Sequence, residues 1–131
     1  MTTLKVGIAS YAEMKARTLA VARGEKRVRG NDPKVWFTSM ESFAKVLSDR
    51  NRALLTLIAE TQPGSLAELS QLSGRAKSNL SRTLKTMERY GLVQLRKGLG
   101  GTIAPRVPYS GIDLAVSLEP HMDTGARGQD G

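Results

Sequence analysis

The side chains best suited to chemistry in this sequence lie in residues 75–93, which read RAKSNLSRTLKTMERYGLV. At the 100° per residue of an α-helix, four polar and cationic side chains recur along one side of this stretch, namely Ser78, Arg82, Lys85 and Arg89. Asn79 borders that side. Guanidinium, ammonium, hydroxyl and amide groups bind phosphate oxygens and the edges of bases. The pattern therefore predicts a helix that contacts nucleic acid through one face.

The opposite side of the same stretch is apolar, which predicts that it packs against other elements. Its members are Ala76, Leu80, Leu84 and Met87. Just before it, Ser65-x-x-Glu68 has the pattern of a capping box, which predicts the start of a short helix, and Gly74 is placed to end it. A short helix, a tight turn and a longer basic helix follow one another in a helix-turn-helix unit.

A basic β-hairpin is predicted directly after this helix. Residues 92–97 alternate, so that Val93 and Leu95 point inward while Arg96 points outward. Residues 98–101 supply a glycine-rich turn, and residues 103–107 supply the return strand. Because a proline cannot donate to a sheet, Pro105 indicates that the return strand lies at an edge. Such a hairpin is typical of a wing.

The predicted recognition helix runs from Ala76 to Tyr90, and the wing adds two further cations. The candidate DNA-binding residues are Arg75, Lys77, Ser78, Asn79, Ser81, Arg82, Lys85, Arg96 and Lys97. The alternative for the helix is a solvated polar face, and for the hairpin it is charge that blunts a strand edge. Arg50 and Arg52 lie near the start of an earlier predicted helix. For these two residues the sequence favours neither contact with the DNA backbone nor simple exposure to solvent.

The chain divides into three predicted segments, and the predicted fold class is α+β, mainly helical. Residues 1–33 form an N-terminal extension with a strand at Lys5–Ile8, a helix that opens at the capping box Ser10-x-x-Glu13, and a basic linker. Residues 34–118 form a winged helix-turn-helix DNA-binding domain that ends in a strand. Residues 119–131 lack periodicity and are predicted to be a disordered acidic tail.

Two further helices are predicted between residues 38 and 62. Thr38-x-x-Glu41 reads as a capping box, and Ser48 followed by Asp49 offers a second cap. The apolar side chains at helical spacing predict a core made of Met40, Phe43, Leu47, Leu54, Leu55 and Ile58. Trp36 and Phe37, just before, either join that core or anchor a dimer interface.

The composition limits the function classes. A formal net charge of +8 over 131 residues favours a polyanionic partner. The chain has no cysteine, which excludes disulfides and cysteine-ligated zinc, and we expect no cofactor and no metal. The acids are scattered and the one histidine, His121, lies in the predicted tail, so the sequence does not indicate an enzyme. Without a membrane span or a secretion signal, the expected location is cytoplasmic.

The motif SNLSRTL at residues 78–84, with Met87-Glu88 and GLV at 91–93, resembles the winged helix-turn-helix of prokaryotic transcriptional regulators related to the MarR class. Over roughly residues 5–116 the sequence also resembles a family of small bacterial and archaeal regulators classed as antitoxins. Three segments carry this likeness: VGIASYAEMKARTLAVARGE, PKVWFTSMESFAKVLSDRNRALLTLIAE and GRAKSNLSRTLKTMERYGLV. The resemblance implies a recognition helix in the major groove, a wing on flanking DNA and a homodimer. The antitoxin likeness implies a cognate toxin encoded beside it.

The sequence is therefore compatible with two functions of different classes. The first is a sequence-specific double-stranded DNA-binding regulator, acting as a dimeric repressor of its own operon. The alternative is a protein–protein interaction module that uses the winged fold, with the basic faces serving solubility. The salt dependence of binding separates them, because only phosphate contacts release counterions.

Overall fold

A computed structural model describes residues 2–27 and 32–116 of the chain. Its fold is α+β, with five α-helices and two small sheets in those residues. In chain order the elements are β1 (Thr3–Ile8), α1 (Tyr11–Ala22), β2 (Val35–Phe37), α2 (Met40–Val46), α3 (Asp49–Thr61), α4 (Leu66–Ser73), α5 (Lys77–Arg89), β3 (Gln94–Lys97), β4 (Ile103–Arg106) and β5 (Gly111–Val116). The predicted tail, residues 119–131, lies outside the described residues, as does part of the basic linker.

The larger sheet joins the two ends of the described chain. Its strand order is β2-β1-β5, and β1 is parallel to both neighbours. Lys5 of β1 donates to Asp113 of β5 at 3.1 Å, across 108 positions of sequence. The extension predicted for residues 1–33 therefore contains the central strand of this sheet. Its partners are too distant in sequence for a local pattern to reveal the pairing.

Serine side chains begin four of the helices, because each accepts a hydrogen bond from a backbone N–H of the first turn. These residues are Ser10, Ser39, Ser48 and Ser65. The predicted capping box at Ser10 and Glu13 is confirmed in both directions. The cap predicted at Thr38 is wrong by one residue: Ser39 accepts from the N–H of Ser42, and Thr38 precedes the helix. Hydroxyl side chains occur at both positions, so sequence does not distinguish them.

One apolar core connects the parallel sheet to the helices. Leu4 and Val6 of β1 lie in it, together with the predicted core residues Leu47, Leu54, Leu55 and Ile58. Phe37 of β2 is almost fully buried, stacked on Tyr90 with ring centroids 4.1 Å apart and edge-on to Phe43 at 5.3 Å. The prediction that Met40 belongs to the core is wrong, because Met40 is 47% exposed. Met40 is the first residue of α2, where no preceding turn completes the apolar stripe.

Trp36 lies over the other face of β1 and links it to α1. The guanidinium carbon of Arg17 is 5.3 Å from the Trp36 ring centroid, a cation–π contact, and Arg17 also pairs with Asp32 at 2.9 Å. A Cβ added at Gly7 would lie 2.5 Å from Cζ3 and 2.8 Å from Cε3 of that ring. Gly7 is therefore the residue that allows the indole to sit against the strand.

We expect Gly7→Ala to lower the free energy of unfolding by about 1–3 kcal/mol, because the added methyl group forces the indole or the strand to move. Urea denaturation measures the change. Gly111→Ala in β5 is the matched control, since a Cβ there meets nothing within 4 Å. Equal midpoints for the two variants would show that the indole does not depend on Gly7.

Candidate nucleic-acid interface

The two faces of α5 separate as the sequence predicts, except that Ala76, predicted for the apolar side, is exposed at the cap position just before the helix, where it has no turn to pack beneath. Leu80, Leu84 and Met87 are buried, and α4 contacts this helix with Leu69 in the same core. The turn between α4 and α5 contains Gly74, whose φ of 76° is in the left-handed region that favours glycine. Packing on one side fixes which residues of α5 face solvent.

The solvent-facing side of α5, which we call its polar face, consists of Ser78, Arg82, Lys85 and Arg89, all exposed. Lys77, at the first position of the helix, is exposed too. Within residues 2–27 and 32–116, none of the cations among these five residues forms an ion pair with an acid. Ser81 lies one position off this face and is half-buried. The polar face thus presents guanidinium and ammonium donors that no carboxylate of the described chain neutralises.

The amino end of α5 differs from those of the other helices in the described part. Each of the other four has a serine cap and an acid in its first turn. The cap position of α5 is Ala76, which makes no side-chain hydrogen bond, and its first turn has no acid but does contain Lys77. A cation near the positive end of the helix dipole is unfavourable, whereas an anion there is favourable. This end of the helix is suited to a phosphate.

Arg75 and Asn79, both predicted DNA contacts, bind each other. Nε of Arg75 donates to Oδ1 of Asn79 at 2.8 Å, Nη1 donates to Oδ1 of Asn51 at 3.1 Å, and Nη2 donates to Oγ1 of Thr83 at 3.2 Å. Burial, with a smaller contribution from the charge of Arg50, lowers the pKa of the Arg75 guanidinium. Arg75 therefore connects α3 to α5 and does not extend freely into solvent.

Asn51 and Thr83 were not among the predicted site residues. Asn51 belongs to α3, and its Nδ2 donates to the backbone oxygen of Val46 at 2.9 Å. Its role depends on an arginine 24 positions away, so no motif within α3 marks it. The one available signal was Arg75 itself, a cation in the turn before a helix that has no capping side chain.

The predicted hairpin is present as β3 and β4, which pair antiparallel with Arg96 opposite Ala104 and Lys97 opposite Ile103. Arg96 and Lys97 are exposed. The guanidinium of Arg96 donates to Oε1 of Gln94 at 2.7 Å, so these two side chains form one polar group on the outer side of β3. A 3₁₀ turn, Leu99–Gly101, connects the strands.

The hairpin is attached to the loop between α3 and α4 by two residues that the sequence did not single out. Nη1 of Arg106 donates to the backbone oxygen of Pro63 at 2.7 Å. Oγ1 of Thr102 donates to the backbone oxygen of Gly64 at 3.3 Å. Both acceptors are backbone carbonyls more than 30 positions earlier, which leave no trace in side-chain pattern. These bonds hold the β4 side of the hairpin against the loop that precedes α4.

Other kinds of site find little support in the part of the chain that the structure describes. No group of three His, Cys, Asp or Glu side chains there could hold a metal ion. Among the described helices, none combines the length and apolar character needed to cross a bilayer. The cations of α5 and of the hairpin remain the candidate site.

Comparison with known proteins identifies a family for this part of the chain. No curated protein and no solved structure matches the sequence. One family model, HVO_A0114, matches residues 46–114, just over half of the 131 residues. The match includes α3, α4, α5 and the β3–β4 hairpin, and it excludes β1, α1 and β2. The chain belongs to the HVO_A0114 family.

Proposed function

We propose that this chain is a sequence-specific double-stranded DNA-binding transcriptional regulator with a winged helix-turn-helix fold. In this proposal α5 enters the major groove, α4 is the helix before the turn, and the β3–β4 hairpin is the wing on flanking DNA. One observation carries the proposal. The polar face of α5 is exposed and has no acidic partner in the described chain, while the opposite face is buried in the core.

The electrostatics of α5 support a polyanion more than a neutral protein surface. Its first turn has Lys77 and lacks both an acid and a side-chain cap, which leaves N–H groups available to a phosphate. Arg82, one turn further, is exposed on the same face as Ser78. A helix docked by its amino-terminal turns places such residues against the backbone and the base edges.

We propose that the protein acts as a homodimer, with α1 in the interface. None of the twelve residues of α1 is buried, and two of its large side chains, Tyr11 and Leu19, are 75% and 43% exposed. Parallel sheets are normally covered on both faces, and this helix stands beside the Trp36 face of the β2-β1-β5 sheet. A second copy would cover the apolar surface that α1 exposes.

In the same proposal the regulator represses its own operon and serves as the antitoxin of a toxin–antitoxin pair. This part rests on the resemblance of the sequence to small regulators of that class. The cognate toxin would be encoded by the adjacent gene. Co-expression and co-purification of the two products test it, and a neighbouring product that does not bind removes the antitoxin role while leaving DNA binding intact.

Selection of bound sequences from a random duplex pool tests the proposed function. We expect a palindromic consensus whose half-sites lie about 10 bp apart, centre to centre, because two recognition helices of a dimer lie about 34 Å apart. Affinity should fall steeply as salt rises, since each phosphate contact releases a counterion. If no sequence were enriched at low salt, or if affinity did not change with salt concentration, the protein–protein interaction module would be favoured instead.

A further inference from the structure

The bond between Arg75 and Asn79 determines which way the Asn79 amide faces. A guanidinium group has N–H donors and no acceptor, so it can bond only the oxygen of an amide. At 2.8 Å from Nε, the atom of Asn79 next to Arg75 must therefore be Oδ1. This orientation follows from the chemistry of the two groups.

The position of the guanidinium also gives the direction of the amide. Through Nη1 it bonds Asn51 of α3, so the group lies between α3 and α5. Oδ1 of Asn79 is consequently turned towards α3, and Nδ2 is turned away from it. Asn51 differs, because its Nδ2 donates to Val46 within the protein. Nδ2 of Asn79 has no hydrogen-bond partner in the described residues, although Asn79 borders the polar face.

We propose that Asn79 is a specificity-determining residue that reads the major groove through its Nδ2 donor alone, with Arg75 as the residue that positions it. The inference rests on the proposed function, because it requires α5 in the major groove. An asparagine that reads adenine uses both ends of its amide: Oδ1 accepts from N6 and Nδ2 donates to N7. With Oδ1 held towards α3 by Arg75, that paired contact is lost.

A single N–H donor selects bases by their acceptors. Guanine presents N7 and O6 in the major groove and thymine presents O4, whereas cytosine presents only the N4 amino donor. Adenine also presents the acceptor N7, but its N6 amino donor lies beside it. Nδ2 is itself a donor and cannot accept a hydrogen bond from N6. Each base pair contains either guanine or thymine, so Asn79 should contact that base of the pair and should not read the N6 group of an adenine.

The experiment compares sequences selected from a random duplex pool by the full chain and by two variants at Asn79. Asn79→Ala identifies the contacted position as the one where the base preference disappears, and it should weaken binding to the consensus roughly 2- to 10-fold. For the wild-type protein that position should be a G·C pair, or an A·T pair whose affinity is unchanged when its adenine is replaced by 2-aminopurine, which still pairs with thymine but lacks the N6 amino group. Asn79→Asp replaces the donor by an acceptor, so the preferred base pair, or the orientation of that pair, should change to one that presents an amino donor there, cytosine N4 or adenine N6.

The role of Arg75 is tested by base preference, which a merely structural role would leave unchanged. Arg75→Ala releases Oδ1, so adenine read through N6 and N7 should join the accepted bases at the Asn79 position, and its replacement by 2-aminopurine should then weaken binding. Thr83→Val is the matched control, because it removes the acceptor of Nη2 and leaves the bond from Nε to Asn79. If Arg75→Ala does not fold, Arg75→Lys removes the fork that holds Asn79, Asn51 and Thr83 together and makes the same comparison.

The outcomes separate this inference from the proposed function. A wild-type affinity that falls when the adenine of the Asn79 pair is replaced by 2-aminopurine, or Asn79 variants that leave every base preference unchanged, would overturn the inference while DNA binding stands. A wild-type protein that enriches no sequence would overturn the proposed function, and the inference with it.

Discussion

Arg82→Ala is expected to weaken binding to the selected operator by about 1–3 kcal/mol, or roughly 5- to 150-fold. Arg82 is exposed on the second turn of α5, on the same face as Ser78. A guanidinium in this place can donate two hydrogen bonds to a guanine edge, so its loss should also relax the base preference at one position of each half-site. Mobility shifts on the operator and on its single-base variants measure both effects.

Two controls show whether the loss at Arg82 reflects base reading. Lys45→Ala removes the same charge from an exposed position on α2, outside both the proposed DNA surface and the proposed dimer interface, and should leave operator affinity nearly unchanged. Lys97→Ala on the hairpin should weaken all sequences alike and make binding less dependent on salt, because it removes a phosphate contact. Unchanged operator affinity in Arg82→Ala would show that this docking of α5 is wrong.

Phe37→Ala is expected to lower the free energy of unfolding by about 3–5 kcal/mol, the usual cost of removing a buried phenylalanine ring. The ring stacks on Tyr90, just after α5, and meets Phe43 of α2 edge-on. It therefore joins the parallel sheet to two helices, and the cavity left behind would lie where these elements meet. Such a loss is a large fraction of the stability of a domain this size. Urea denaturation followed by circular dichroism measures it.

Tyr11→Ala is the control for this prediction, because Tyr11 is also aromatic but lies on the exposed side of α1. The stability of the monomer should change by less than about 0.5 kcal/mol. If Phe37→Ala cost no more than Tyr11→Ala, the sheet would not be packed on the helices through Phe37. Because the dimer proposal places Tyr11 in the interface, both variants are compared at a protein concentration where the chain is monomeric.

The helices and the hairpin were predictable because their signals are local. Ser10 and Glu13 form both bonds of the capping box that their spacing indicates. Leu80, Leu84 and Met87 recur at helical spacing and are buried together. In the hairpin, alternation and a glycine-rich turn suffice to place β3 and β4. Each of these signals involves residues within a few positions of one another, where the geometry of the chain restricts the alternatives.

The candidate site was predictable only in part, for a physical reason that Arg75 and Arg82 illustrate. Both are cations in or beside the same helix, and the sequence predicts DNA contact for both. The structure leaves Arg82 exposed and holds the half-buried Arg75 between α3 and α5, where three side-chain oxygens accept its hydrogen bonds. The acceptor on Asn51 lies 24 positions away, so only the tertiary placement of α3 beside Arg75 distinguishes the two arginines.

The sequence by itself determined the basic, amphipathic character of α5, the hairpin after it and the net charge that favours a polyanion. These properties depend on local periodicity and composition. Only the tertiary structure placed β1 between β2 and β5, attached the hairpin to the α3–α4 loop through Arg106, and turned the amide of Asn79. Each of these depends on contacts between distant residues, which form only when burial of the common core brings the elements together.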